Sequence, residues 1–259
     1  MEIDENLNYL KLTETEAKKR RSSGIARILD GEGNTRYLGQ LKQGNLTGMG
    51  KMKWWSGTYH GYVIGGEPWG TGNFVCSSSD LRYIGHWQKG LWHGQGIFAG
   101  AGMFGVGSFK ENRLEGLVLS RAKPEDTSYF GQMKLGKMDG FGIHLKDGLI
   151  YEGYFKQNSR EGVGIECSLK RGDTQEYHGE FSENNFHGFG RWYIADSLYY
   201  EGHWREGSIR GPGVLYTDAG TVSGDFENSN TCFGKATFNY ADGNEETAYF
   251  KNGKIFSAE

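Results

Sequence analysis

Proline is nearly missing from this 259-residue chain, with three copies, and cysteine is as scarce, also with three. Cys76, Cys167 and Cys232 are odd in number and in no paired spacing. That excludes a disulfide framework and points to reduced thiols in a cytosolic or nuclear setting. A basic excess is lacking too: the net charge of −3 gives no global attraction to nucleic acid or to an anionic membrane. No apolar run approaches the ~20 residues of a membrane span. The acidic opening residues lack the apolar core of a signal peptide. These absences describe a soluble intracellular protein.

What is there is glycine: 43 copies, about one residue in six against a usual ~7%. No every-third-residue pattern appears, so collagen is excluded. Aromatic residues at 14% are too many for a disordered linker. Much glycine, many rings and little proline fit a sheet in which rings lie over glycine.

Residues 1 to about 24 form an arm that differs from the rest. Leu7, Leu10 and the run from Lys11 to Arg21 suit a short helix ending before Gly24, with acids preceding bases as the helix dipole favours. A solvated or weakly helical arm is preferred to a targeting or anion-binding cluster at Lys18–Arg21. The arm is also placed to cover the first open edge of a sheet.

From Ile25 onward the chain repeats. A glycine recurs at Gly39, Gly61, Gly85, Gly107, Gly131, Gly153, Gly179, Gly202 and Gly224, with spacings of 22 to 26 residues. Two residues before it stand Tyr37, Tyr59, Tyr83, Tyr129, Tyr151, Tyr177 and Tyr200, and two residues after it the position is always apolar. Residues two apart share a strand face. A turn follows at Gly44, Gly66, Gly90, Asn112, Gly136, Asn158, Asn184, Gly207 and Gly253, with Asn230 taking the role in the longer Phe226 copy. Glycine and asparagine tolerate the positive φ of a tight hairpin turn. The chain then returns through paired glycines such as Gly48 and Gly50, or Gly94 and Gly96. Copies are degenerate near residues 105–118, 222–236 and 246–256, and the link from Arg121 to Ser128 is the least regular stretch.

Tyr83-Ile-Gly-His-Trp-Gln-Lys-Gly-Leu-Trp-His-Gly-Gln-Gly is the best-preserved tile. It resembles the MORN repeat, and the resemblance covers about residues 37–253 in nine to ten copies. His93 and His187 keep the family's histidine, which other copies replace. The resemblance implies an all-β fold: an elongated, twisted, single-layer antiparallel sheet of tandem hairpins, an open solenoid-like rod over residues 25–259. Each tyrosine or tryptophan is expected to lie over the neighbouring hairpin's glycines and to substitute for a second layer.

Sequences that mimic reactive motifs fit the repeat better than chemistry. Gly100-Ala-Gly-Met-Phe-Gly matches a dinucleotide fingerprint, which needs a following helix to hold the pyrophosphate, whereas another strand pattern follows. Gly131–Met138 resembles a phosphate loop without its hydroxyl. Equivalent histidines of adjacent repeats lie roughly 10 Å apart, too far to share a metal at ~2 Å. No catalytic residue, cofactor or metal is expected.

Binding is the expected activity. Exposed rings at Tyr83, Trp87, Trp92, Tyr151, Phe155, Tyr177, Phe181, Tyr200 and Trp204 are expected to form a groove for a helix or hairpin of a partner protein. Lys42, Lys110, Lys134, Lys156, Arg205 and Lys251 form a basic row beside the apolar positions. A solvated protective edge is the plainer reading of that row, and an acidic peptide or lipid headgroup the alternative. By resemblance, the expected function is a non-enzymatic scaffold of a cytoskeletal, ciliary or axonemal assembly. A membrane tether and a regulatory subunit of an enzyme are the alternatives. An edge-to-edge homodimer is a further partner expectation, and nucleic acid is not expected.

Overall fold

The computed structural model describes residues 10–21, 23–123, 126–170, 172, 175–228, 231–251 and 254–258. The chain divides into two compact units, Met1–Pro124 and Glu125–Glu259. The boundary falls in the irregular link around Pro124.

The first unit begins with strand β1 (Leu10–Thr13) and helix α1 (Glu14–Arg20), then β2 (Gly24–Leu29), β3 (Thr35–Lys42) and β4 (Asn45–Trp54). β5 (Gly57–Ile64), β6 (Glu67–Cys76), β7 (Arg82–Gln88), β8 (Leu91–Gly100), β9 (Met103–Lys110) and β10 (Arg113–Ala122) follow. From β2 to β10 each strand pairs antiparallel with the next. β1 lies parallel on the outer side of β2, with Leu10 opposite Ala26 and Thr13 opposite Leu29.

The second unit is built from β11 (Thr127–Lys134), β12 (Lys137–Lys146), β13 (Leu149–Lys156), β14 (Ser159–Ser168), β15 (Gln175–Ser182) and β16 (Asn185–Ile194). It continues with β17 (Ser197–Arg205), β18 (Ser208–Thr217), β19 (Gly220–Asn228), β20 (Thr231–Tyr240), β21 (Glu245–Lys251) and β22 (Lys254–Ala258). Again each strand pairs antiparallel with the next. Each unit is an open antiparallel meander, as the all-β reading expects. No helix among the described residues is long and apolar enough to cross a membrane.

The arm contains a short helix within the span expected, but it is docked on the sheet rather than solvated. Thr13 caps α1: its hydroxyl accepts the Glu16 N–H at 3.3 Å while the Glu16 carboxylate accepts the Thr13 N–H at 2.7 Å, a reciprocal box that satisfies two donors of the first turn. Ala17 is fully buried, and Glu14 pairs with Arg36 of β3 at 2.9 Å. The helix sits so close on the first hairpin turn that a Cβ on Gly44 would lie 2.6 Å from the Ala17 carbonyl oxygen.

The repeat's chemistry explains its hairpin. In the copy at Tyr83, a Cβ on Gly96 would stand 2.6 Å from Tyr83 Cε2, and a Cβ on Gly85 would stand 2.6 Å from the Gly96 Cα. Both positions must be bare so that the ring can lie flat on the two strands. The ring therefore covers glycines of its own hairpin, not those of the neighbouring one, and the same holds for Tyr37 on Gly50 and Tyr151 on Gly164. This corrects the sequence expectation for the tyrosines, whereas the Trp87 indole does reach the neighbouring hairpin, donating to the Gly72 carbonyl at 3.3 Å. The reason for the tyrosine placement is a register shift beside each such glycine, between Gly85 and Trp87 in this copy. A β-bulge there frees one carbonyl from the ladder, and the tyrosine hydroxyl reaches it. Tyr83 Oη donates to the His86 carbonyl at 2.9 Å, Tyr129 to Gln132 at 2.6 Å and Tyr200 to His203 at 3.2 Å. Opposite the bulge the backbone turns left-handed, as at Gly48 with φ 100°. The first glycine of each pair serves the bulge and the second the ring.

The turns close as two left-handed residues, for example Lys89 (φ 51°) and Gly90 (φ 75°), or Gln157 (φ 50°) and Asn158 (φ 75°), the pattern that suits right-twisted strands. The turn roles expected of Asn230 and Gly253 fall outside the described residues. In the weak copy, Gly105 replaces the tyrosine. The Phe98 ring lies over that glycine, and Val118 of β10 is buried nearby.

Candidate functional site

Seven tyrosines held in this way make one face of each sheet a row of buried rings. Burial pushes the Tyr151 and Tyr200 phenols up to about 12, so they remain hydrogen-bond donors. Two residues after each hairpin turn stands one further side chain, which in three copies lies over the tile's tyrosine ring. Leu46, Pro68, Trp92, Met138, Arg160, Phe186 and Ile209 occupy this slot in successive tyrosine copies. The Trp92 indole stacks on Tyr83 at 4.2 Å and 6°, and the Phe186 ring on Tyr177 at 3.8 Å and 12°.

In the second unit this face opens into a cavity of about 360 Å³. Its aromatic walls are Tyr177, Phe186, Trp192 and Trp204, and Leu149, Glu166, Gln175, Glu176, Ile209 and Asn228 are among its other lining residues. Trp204 stands edge-on to Tyr177 and to Phe186, 5.3 Å from each, and Trp192 lies 5.9 Å from Trp204. The Trp204 indole N–H donates to the Gly190 carbonyl at 3.4 Å. Strands β15 to β17 thus fix the walls by backbone and ring contacts together.

A second cavity of about 470 Å³, lined by His144, Lys146, Tyr151, Phe155, Arg160 and Glu166 among others, shares Leu149 and Glu166 with the first. Here the covering slot carries a charge. The Arg160 guanidinium lies over Tyr151 at 5.6 Å and Phe181 at 5.2 Å, pairs with Glu166 and donates to the Asn184 carbonyl. Aromatic faces attract a guanidinium, and the carboxylate offsets its desolvation. Burial, then the charges of Lys146 and Arg160, hold the His144 imidazole below its ordinary pKa.

The rings expected to be exposed are not. Tyr83, Trp87, Tyr151, Phe155, Tyr177, Phe181, Tyr200 and Trp204 are all 6% exposed or less, because each packs against glycine backbone or the next copy's ring. They form the floor and walls of the tyrosine face, and Trp92 is half-buried over Tyr83. The structure brings Tyr177 and Trp204 to one cavity and Tyr151 and Phe155 to the other. Phe186, Trp192, Arg160 and Glu166 were not singled out by the sequence. The covering slot varies in chemistry from copy to copy, so only its fixed offset from the turn could have found it.

The basic row divides between the units, Lys42 and Lys110 in the first and Lys134, Lys156, Arg205 and Lys251 in the second. All are exposed and directly follow the positions of the tyrosine face, so strand alternation turns them to the opposite face. Two histidines serve bulges: His86 Nδ1 lies 3.4 Å from the Gln95 carbonyl and His203 Nδ1 3.1 Å from that of Pro212. Gln40, Gln132 and Glu180 do the same work elsewhere, accepting the N–H of Met49, Phe141 and Phe189 at 3.2, 3.1 and 3.0 Å. Hydrogen bonds from Ser56, then Ser78 and Ser79, pull the Cys76 thiol down to about 6. Among the described residues no group of three or more His, Cys, Asp or Glu is placed to hold a metal. The glycines of the dinucleotide-like motif lie around the turn joining β8 to β9.

A family model for the MORN repeat matches residues 37–58, 83–101, 129–148, 151–168, 177–198 and 200–222. Six MORN repeats are thus detected across residues 37–222, each match beginning on a tile's tyrosine. Such repeats are generally found in protein- or membrane-binding scaffold proteins and are not a catalytic domain. A search of curated proteins finds no match to this chain.

Proposed function

We propose that this protein is a non-enzymatic scaffold whose second unit takes a segment of a protein partner on its tyrosine face. The observation that carries the reading is the pair of cavities joined at Leu149 and Glu166. Their volumes lie within the roughly 300–1,000 Å³ of ligand sites; the first offers aromatic walls for anchoring, and the second, lined largely by polar and charged groups, offers orientation. A row of covering slots with different side chains suits an extended or helical segment that presents several anchors in sequence. The partner is a helical or hairpin segment of a cytoskeletal, ciliary or axonemal complex, by family resemblance. The tiles at Tyr59, Gly107, Gly224 and Ala248 count as further copies of the same repeat. For Tyr59 the support is the same ring-on-glycine contact, with its hydroxyl on the Tyr62 carbonyl at 2.9 Å.

The test is proximity labelling of the full chain in its cell beside a Trp192→Ala variant, with both localised. The expected result is a cytoskeletal or axonemal neighbour labelled by the parent chain and lost from the variant. Identical neighbours for both proteins would rule out the groove, and absence from every cytoskeletal structure would rule out the assembly. The membrane-tether reading has less support, because Glu152, Glu180 and Glu201 share the opposite face with Lys134, Lys156 and Arg205. Anionic vesicles that sediment the parent chain, but not one with Lys42, Lys134, Lys156 and Arg205 changed to Glu, would favour it.

A further inference from the structure

The face of the second unit opposite the tyrosines carries an apolar band that nothing in the chain's own tile explains. Phe141, Tyr154 and Val163 stand in one row across β12, β13 and β14, with Tyr154 54% and Val163 65% exposed, and Phe189 follows on β16 beyond Glu180 of β15, whose carboxylate accepts the Phe189 N–H at 3.0 Å. Phe141 is directly opposite Tyr154, their rings 5.6 Å apart and edge-on. Phe130 and Ile143, also opposite one another, extend the band on one side. Together these side chains expose on the order of 500 Å² of apolar surface, at the upper range of what monomers leave uncovered.

The charges beside the band are arranged asymmetrically. Along β13, Glu152 precedes Tyr154 by two residues and Lys156 follows it by two, so both share its face. Some 13 Å apart on one strand, they cannot neutralise each other. Their cross-strand neighbours are Ile143 and Ile165 for Glu152, and Ser159 for Lys156. The nearby carboxylates on the turn side are engaged: Asp139 accepts the Gln157 N–H at 3.3 Å and Glu161 the Glu183 N–H at 3.1 Å.

We infer that this face is the contact between two copies of the chain, stacked sheet on sheet about a two-fold axis that runs across the strands over Tyr154. Such an axis lays the apolar row of one copy on that of the other. It also reverses the strand direction, so Lys156 of each copy meets Glu152 of its mate. Self-complementarity of this kind is what an isologous interface requires, and a lipid headgroup or a purely basic or acidic partner would leave one charge of each pair unmatched. Sheets stack at about 10 Å with apolar faces interleaved. The band supplies the core and the charged rows the rim of an interface near the usual ~800 Å² per partner.

The experiment is sedimentation velocity on the full chain from about 1 to 100 µM. Dimerisation of the parent chain is expected, weakened at least about tenfold by Val163→Asp, Lys156→Glu or Glu152→Lys alone. Combining Lys156→Glu with Glu152→Lys restores it. These side chains are exposed, so thermal melting should change little. A Tyr154→Cys variant adds a readout independent of affinity, since two thiols at the axis, on backbones about 10 Å apart, are joined by a short bifunctional thiol cross-linker though too far apart for a direct disulfide. A monomer at every concentration overturns the inference. So does a dimer indifferent to Val163→Asp, which would instead be joined at a sheet edge, or a double reversal that fails to rescue. Absence of a cross-link at position 154, or vesicle binding in place of self-association, does the same.

Discussion

Two atoms decide whether a tile closes: the hydrogen that glycine has in place of Cβ, and the phenolic hydroxyl above it. Gly96→Ala puts a methyl group 2.6 Å from the Tyr83 ring, and the ring can retreat only by giving up its bond to the His86 carbonyl. The expected loss is about 1–3 kcal/mol, as for other overpacked sites. Gly31→Ala is the control, because a Cβ there meets nothing within 4 Å, and it should lie within about 0.5 kcal/mol of the parent chain. Denaturant melts of the two variants check both. Tyr200→Phe keeps the ring and removes the donor to the bulge carbonyl of His203. It should cost about 0.5–1.5 kcal/mol, and an unchanged melt would show that water serves that carbonyl equally well. At this scale the sequence was informative about identity and silent about partners. Tyrosine and two glycines recur in register, yet a strict repeat cannot reveal whether a ring lies on its own hairpin or the next. The bulge that settles the question is a register shift, which composition does not encode.

Between elements, the turns act as clasps. The Gly90, Asn112, Asn158, Asn184 and Gly207 N–H groups each donate to a carbonyl in the preceding hairpin, at 2.9–3.1 Å. Where the residue is asparagine, its side-chain oxygen also accepts from that hairpin: Asn158 from the Met138 N–H at 2.8 Å and Asn184 from the Arg160 N–H at 2.9 Å. Asparagine and glycine both tolerate the left-handed turn, which is all the sequence alone could say of them, but only asparagine adds this second bond. Asn158→Gly should therefore cost about 0.5–1.5 kcal/mol. Gly207→Asn should stabilise by a similar or smaller amount, because a Cβ there meets only Asn185 Oδ1 at 3.7 Å. Opposite shifts in the melts of these two variants are the expected result, and shifts of the same sign would remove the clasp. The segment before the repeats was less legible. Leu10–Thr13 alternates apolar and polar residues over too short a span to separate strand from helix, and its parallel pairing with β2 is a tertiary choice.

For the whole molecule, pH is the lever that two partly desolvated imidazoles provide. Burial, then Lys51, lowers the pKa of His60 in the first unit, and burial, then Lys146 and Arg160, lowers that of His144 in the second. The unfolded chain then binds protons more readily than the folded one. Stability from these groups is full above the unfolded pKa of about 6.5 and is lost as pH falls from there through the lowered folded values. Melting temperatures measured from pH 7.5 to 5 should fall across that window, and His144→Phe should flatten the slope. The all-β class, the turn positions and the tyrosine row were legible because each rests on a residue type with one physical use. The cavities were not, because they form where the covering slot changes character, at Arg160 and Phe186, and where Trp192 reaches across from a return strand.

Every antiparallel pairing described, from β2 to β10 and from β11 to β22, joins strands that are neighbours in sequence. Tyr83 finds both of its glycines before the next hairpin begins. Such a chain has very low contact order. Hairpins close in roughly 1–10 µs, whereas a ribosome adds about 5–20 residues each second. Each tile can thus complete its ring-on-glycine layer while its successor is still being translated, so synthesis itself lays the sheet down in order.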